Sequence, residues 1–248
     1  MIPSEKTRLD RLLFERGLVD SREKARALIL EGKVLVNGVA VDKPGSSVSH
    51  DASITIKEGM PYVSRGGLKL EKAINAFGMD LKDKTAMDIG ASTGGFTDCL
   101  LKHGVRKVYA IDVGYGQFDW RLRRDQRVTL LERTNIRYLD RSAIPETVDI
   151  ITIDVSFISL LKVIPRSLDF LSPNGEIIAL IKPQFELQKR DVGKGGVVRD
   201  GQKRLKAVER IVEGVNAMGL DIKGIFESPV HGPRGNIEYF IYLKRKKG

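Results

Sequence analysis

The stretch from Ala86 to Phe96, Ala-Met-Asp-Ile-Gly-Ala-Ser-Thr-Gly-Gly-Phe, carries a short apolar strand into a glycine-rich turn and on into the apolar run 97–101. Gly90, Gly94 and Gly95 have no Cβ, so they permit positive φ and close approach of backbone to a ligand; Ser92 and Thr93 keep the turn narrow. Asp112 closes the next apolar run, 108–111. An acidic residue about 20 positions beyond a glycine turn, at the end of a second strand, is placed to accept hydrogen bonds from ribose hydroxyls. A strand–turn–helix of this kind predicts an α/β sheet with a nucleoside-type cofactor at its rim.

The spacing narrows the choice of cofactor. Dinucleotide folds show G-x-G-x-x-G, whose middle glycine lets backbone N–H groups meet a pyrophosphate. Here the register is Asp88-x-Gly-x-x-x-Gly-Gly, which favours S-adenosyl-L-methionine, a cofactor with no phosphate to cradle. Asp88 suits a ligand that is cationic at sulfur and at its α-ammonium. Asp88, Gly90, Ser92, Gly94, Gly95 and Phe96 are expected near the methionine end and Asp112 at the ribose. Asn135 is expected toward adenine, although capping a loop would suit it equally.

Beyond the turn the chain alternates. Strands are predicted at 85–89, 107–112, 128–131, 148–154, 176–181, 221–226 and 237–243, with helices at 96–103, 120–124, 158–171 and 203–218. Alternation of this kind specifies a doubly wound parallel sheet. The segment 228–235 is too short for a helical crossover, so the last two strands should pair antiparallel. Asp154 and Lys182 end two wholly apolar strands at the rim that holds the turn. A charge there serves either chemistry or an Asp–Lys ion pair, because an unpaired buried charge costs several kcal/mol.

Residues 1–59 form a separate small module, followed by a linker at 60–64 and the larger domain at 65–248. Leu9, Leu12 and Leu13 share one helical face and Gly17 stops that helix; Asp20 is expected to cap a second helix, with Glu23 as its capping-box partner. Asn37-Gly38 between apolar residues predicts a hairpin. The helix, cap, glycine stop and hairpin along 8–38 resemble the S4 RNA-binding domain. By that resemblance Arg8, Arg11, Arg22, Lys24, Arg26, Lys33 and Lys43 face RNA phosphates. Residues 1–60 hold ten Lys/Arg against nine Asp/Glu, so those cations must be sorted onto one face.

The net charge of +10 points to a polyanionic partner. Its excess lies in the larger domain, at Arg121, Arg123, Arg124, Arg127, Arg133, Arg137 and Arg141 and again at 189–199, and Arg65 and Arg133 are further candidates for RNA. The loop 191–196 is expected to be mobile. A single cysteine, Cys99, leaves no internal disulfide, and three scattered histidines predict no metal site. No window reaches 18 consecutive apolar residues, and a cytoplasmic protein is expected.

Lys69, Asp154, Lys182 and Glu238 fall where FtsJ-type ribose 2′-O-methyltransferases have a Lys-Asp-Lys-Glu tetrad. With the S4-like module, and with the stretches 62–69, 112–117, 154–159, 181–186 and 193–200, the chain resembles the TlyA, or hemolysin A, family of bacterial rRNA methyltransferases. The resemblance implies a Rossmann-like seven-stranded methyltransferase sheet and methylation of a cytidine ribose in ribosomal RNA. Lys182 would meet the 2′-oxygen, as a cation or as a base, with Asp154 and Glu238 orienting the lysines. Two other readings are a non-catalytic RNA-binding or ribosome-assembly protein on the same scaffold, and a membrane-acting haemolysin.

Overall fold

The computed structural model describes residues 6–57 and 60–246, and the chain divides into two compact units, Met1–Pro61 and Tyr62–Gly248. In the first unit, β1 (Lys6–Arg8) leads into α1 (Leu9–Glu15) and α2 (Arg22–Leu30). β2 (Val34–Val36), β3 (Val39–Ala40), β4 (Ser47–Ser49) and β5 (Ile54–Ile56) follow. β4 pairs antiparallel with β1, while β2 lies between β3 and β5. Asn37 and Gly38 both take positive φ, 50° and 82°, as a two-residue hairpin turn requires. Leu9, Leu12, Leu13, Ala25, Ile29 and Val34 are fully buried together. The cap of α2 is Ser21, not Asp20: the Ser21 hydroxyl accepts from the Lys24 N–H, and Asp20 is drawn into an ion pair with the Lys24 ammonium at 2.7 Å.

The second unit opens with α3 (Arg65–Phe77), capped by Ser64 and ended by Gly78 at φ 61°. It continues through β6 (Thr85–Ile89), α4 (Gly95–Lys102), β7 (Lys107–Ile111), α5 (Trp120–Arg123), β8 (Val128–Leu131) and β9 (Val148–Ile153). After α6 (Ile164–Ser167) come β10 (Leu171–Ile181), α7 (Pro183–Glu186), α8 (Gly201–Ala217), β11 (Leu220–Glu227) and β12 (Tyr239–Arg245). The seven strands order as β11-β12-β10-β9-β6-β7-β8. β10, β9, β6, β7 and β8 are parallel, and β12 runs antiparallel between β10 and β11. The closing hairpin is therefore antiparallel, as its short connection requires.

Side chains alternate across this sheet. Met87, Ile89, Ile151, Ile153 and Ile177 pack with Ile211 and Val215 of α8 on one face. Ala86, Val108, Ile150, Ile178 and Phe240 pack with Leu70 and Ile74 of α3 and Leu100 of α4 on the other. The single helix expected over 158–171 is absent. A short 3₁₀ turn, Leu160–Lys162, passes directly into α6, which carries a proline in its first turn; a proline ring cannot sit within a continuous helix.

Candidate active site

Register brings the charged strand ends together. Ile89 of β6 pairs with Ile153 of β9, so Gly90 and Asp154 leave the sheet side by side. Ile181 of β10 pairs with Tyr239 of β12, so Lys182 and Glu238 stand one residue further along opposite each other. Glu238 thus precedes β12 rather than opening it. Lys182 Nζ lies 2.6 Å from Asp154 Oδ1, a contact not aligned as a hydrogen bond; the ammonium donates instead to Ser156 Oγ at 3.1 Å. Lys69 reaches from α3 to donate to Glu238 Oε2 at 2.6 Å. Glu238 is fully buried and its Oε1 has no hydrogen-bond partner among the described residues. Four charges at one rim form two ion pairs, so the site is not left with uncompensated buried charge.

A cleft of about 840 Å³ opens beside these residues, lined by Gly90, Ser92, Asp112, Asn135 and Asp154 among others. Asp112 is held firmly: its Oδ2 accepts from the Ser92 N–H at 2.7 Å, and its Oδ1 from the Gly114 N–H at 2.6 Å and Gln117 at 3.2 Å. A half-buried carboxylate so anchored keeps lone pairs for a vicinal diol. Asn135 accepts from the Arg137 N–H and caps the 3₁₀ turn Ile136–Tyr138 while lining the cleft. Gly90, at φ 85°, has no room for a side chain: a Cβ would meet the Asp154 carbonyl oxygen at 2.3 Å.

Other members of the glycine turn stand behind the cleft rather than in its lining. Gly95 packs where a Cβ would strike Ser64 Oγ at 2.1 Å, which lets α4 approach the start of α3. Gly94, at φ 94°, faces Leu122 and Phe118, and Phe96 is buried against Phe240 with ring centroids 6.2 Å apart. Asp88 is fully buried; it accepts from Thr97 Oγ1 of α4 at 2.7 Å and Thr152 Oγ1 of β9 at 3.0 Å. It therefore grips both flanks of the turn. Cys99 is likewise fully buried.

Burial pushes the Asp88 carboxyl up to about 7, the threonine bonds opposing this only in part. Because the folded value lies above that of the unfolded chain, the stability from this group is fullest below about pH 4 and is lost as pH rises through about 7. Asp88→Asn should remove that loss. Its thermal midpoint, measured against pH, should gain on that of the wild type by the equivalent of a few kcal/mol between about pH 5 and about pH 8; a difference that stays flat across this range contradicts the assignment.

Sequence reasoning passed over Gln117, Phe157, Lys162 and Arg210, which also line the cleft. Only Gln117 and Phe157 lie in motifs that gave a signal. The loop 191–196, expected to be mobile, is anchored: Gly193 bridges to Val197, Asn236 donates to the Gly196 carbonyl at 3.0 Å, and Arg234 donates to that of Gly195.

In the first unit, Arg8, Arg11, Arg22, Lys24, Arg26 and Lys43 are exposed and Lys33 is half-buried. Arg8 and Arg22 both pair with the fully buried Asp10, at 3.0 and 3.3 Å. The Arg8 hydrogen bond is the main cause holding the Asp10 carboxyl down at about 2. Arg11 pairs with Glu15, and Lys33 with Glu31. In the second unit Arg65 and Arg133 are exposed, with the Arg133 guanidinium 4.2 Å from the centre of the Tyr115 ring.

Residues 62–245 match the family model of FtsJ-like methyltransferases. The chain belongs to that family. Residues 7–54 of this FtsJ-like methyltransferase match the S4 domain. It is 43% identical over 97% of its length to the 16S/23S rRNA (cytidine-2′-O)-methyltransferase TlyA of Mycobacterium tuberculosis, covering 91% of that protein. It is 42% identical over 95% of its length to Hemolysin A of Brachyspira hyodysenteriae, covering 99% of it. A solved protein of Streptococcus thermophilus is 40% identical, with a TM-score of 0.75, across 98% of this chain and 90% of that one. Among the described residues no helix is long and apolar enough to cross a membrane.

Proposed function

We propose that the protein is a cytoplasmic, S-adenosyl-L-methionine-dependent methyltransferase that modifies a cytidine ribose 2′-OH in ribosomal RNA. The observation that carries this reading is the pairing of Lys182 with Asp154 and of Lys69 with Glu238 at the rim beside the cleft. The name and function of the mycobacterial relative support the same substrate, and the S4 unit supports an RNA partner.

The cleft fits the cofactor by its chemistry: an anchored carboxylate for the ribose at Asp112, a side-chain-free wall at Gly90, and a polar floor at Ser92 and Asn135. When bound, S-adenosyl-L-methionine supplies an electrophilic methyl group on sulfonium. Asp88 acts through the turn, by holding Thr97 and Thr152, and Gly94, Gly95 and Phe96 act through packing. A ribose hydroxyl is a poor nucleophile, so the chain's task is alignment and stabilisation of the negative charge that grows on the 2′-oxygen. Lys182 presents its ammonium for this, steered by Asp154 and Ser156, and the proton released from the 2′-hydroxyl passes to water in the open cleft that Asp154 borders. Glu238 fixes Lys69 beside them.

RNA reaches the site through phosphate contacts, with Arg8, Arg11, Arg22, Lys24, Arg26, Lys33 and Lys43 on the S4 unit and Arg65 and Arg133 on the methyltransferase unit. Asp10 preorganises two of the S4 arginines. Such binding weakens with salt. The test is transfer of labelled methyl from S-adenosyl-L-methionine to purified ribosomal subunits. Incorporation that depends on the protein is expected; none on either subunit, with cofactor bound, would favour the non-catalytic assembly reading.

A further inference from the structure

We propose that Glu186 is a positioning residue, a buried carboxylate that clamps the loop carrying Asp154 onto the helix that follows Lys182; the inference rests on the methyltransferase reading above. Glu186 ends α7 and is 1% exposed. Its Oε2 accepts from Ser159 Oγ at 2.5 Å and its Oε1 from the Leu160 N–H at 2.9 Å. Both donors lie on the segment that leaves β9 after Asp154. The Ser159 hydroxyl in turn accepts from the Leu161 N–H at 3.2 Å, capping the short 3₁₀ turn.

The clamp is backed from behind. Arg210 of α8 donates to the Glu186 carbonyl, and Leu161 packs against Gly214 of α8, where a Cβ would come within 2.4 Å of its side chain. A second contact ties the same two segments, with the Phe157 and Phe185 rings 4.9 Å apart. Between Asp154 and Leu160 the loop has no regular structure, and Phe157 sits at φ 64°, a conformation that persists only where surroundings enforce it. Glu186 enforces it from the side of Lys182. Both charged ends of the Lys182–Asp154 pair are thereby referred to one rigid support.

A carboxylate so deeply buried is expensive, and burial raises its carboxyl above the usual range. Hydrophobic packing would close this loop more cheaply. What the carboxylate adds is direction: two acceptors, one for a hydroxyl at 2.5 Å and one for a backbone amide at 2.9 Å.

Three measurements on the full chain test the clamp: kcat and KM for methyl transfer, the affinity for S-adenosyl-L-methionine, and amide exchange across 156–162. In Glu186→Ala, kcat should fall by about 10- to 100-fold through misplacement, with a clearly smaller loss of cofactor affinity, because the clamped segment also borders the cleft. Exchange across 156–162 should quicken. Glu186→Gln keeps an acceptor for Leu160 and a partner for Ser159, and should recover kcat to within about threefold of the wild type. If Glu186→Ala does not fold, Ser159→Ala removes one bond of the clamp and should show a loss of kcat in smaller measure that exceeds any loss of cofactor affinity. Unchanged kcat in both alanine variants, or a glutamine variant as impaired as the alanine one, overturns the proposal. A wild type that never methylates rRNA would sink the functional reading instead, and the exchange data would still decide the clamp.

Discussion

Lys182→Ala is expected to lower kcat for methyl transfer to rRNA by roughly 100- to 1000-fold, while cofactor affinity stays near that of the wild type. The lysine ammonium lies 2.6 Å from Asp154 and 3.1 Å from Ser156, and it is absent from the lining of the cleft that holds Asp112. Its loss therefore removes stabilisation of the developing alkoxide without touching the nucleoside contacts. The same truncation leaves Asp154 without its cation, but Asp154 borders the open cleft with 21% of its side chain exposed. Water can solvate it, so the folding penalty stays below that of a sealed carboxylate. Single-turnover kinetics with calorimetry separate the two effects. Equal losses in kcat and in cofactor affinity would mean that Lys182 supports the cleft and not the chemistry.

Gly90→Ala should be the most damaging small substitution in the larger unit. A methyl there meets the Asp154 carbonyl at 2.3 Å and its carbon at 2.9 Å, and the backbone sits at φ 85°. Neither side can yield cheaply. Gly90 N–H donates to Ile111 O, and Asp154 N–H to Ile89 O, both at 2.9 Å, so a shift breaks the central ladder. Strain and overpacking together are expected to cost about 3 kcal/mol or more, a fall of roughly 10 °C in thermal midpoint for a unit of this size, with cofactor binding lost. Gly116 is the control: at φ 78° it has nothing within 4 Å of a would-be Cβ. Gly116→Ala should cost only about 1 kcal/mol. Equal midpoints for the two variants would contradict the close approach.

The fold was legible where period and punctuation agree. Apolar strands ending in Asp112, Asp154 and Lys182 announced both their direction and their rim, and the short link before β12 announced an antiparallel partner. Asn37-Gly38 and Gly17 each did for a turn what only positive φ can do. What stayed hidden depends on distance along the chain. Lys69 and Glu238, which meet across the whole methyltransferase unit, were brought together by resemblance alone, and Asn236 anchors a glycine loop some forty residues upstream. Neither leaves a local pattern. Phe96 follows the turn so closely that spacing assigned it to the ligand, whereas the direction of α4 turns it toward Phe240. The broken helix at 158–171 is a different kind of miss: Pro165 lies inside the stretch expected as one helix, and Glu186, which holds Ser159 and the Leu160 N–H at the start of the 3₁₀ turn, lies beyond β10 in α7.

The haemolysin reading has no support in the geometry. Among the described residues the apolar side chains pack into the two faces of the seven-stranded sheet and the small core of the first unit, and what the molecule presents at the rim is charge in matched pairs. The most direct test of ribose methylation at this rim is to map 2′-O-methyl positions in rRNA from cells with and without the gene. At least one cytidine should lose its 2′-O-methyl group with the gene and regain it with the wild-type protein but not with Lys182→Ala. An identical 2′-O-methyl map in both cells, or a missing mark that lies on a base, would contradict that activity.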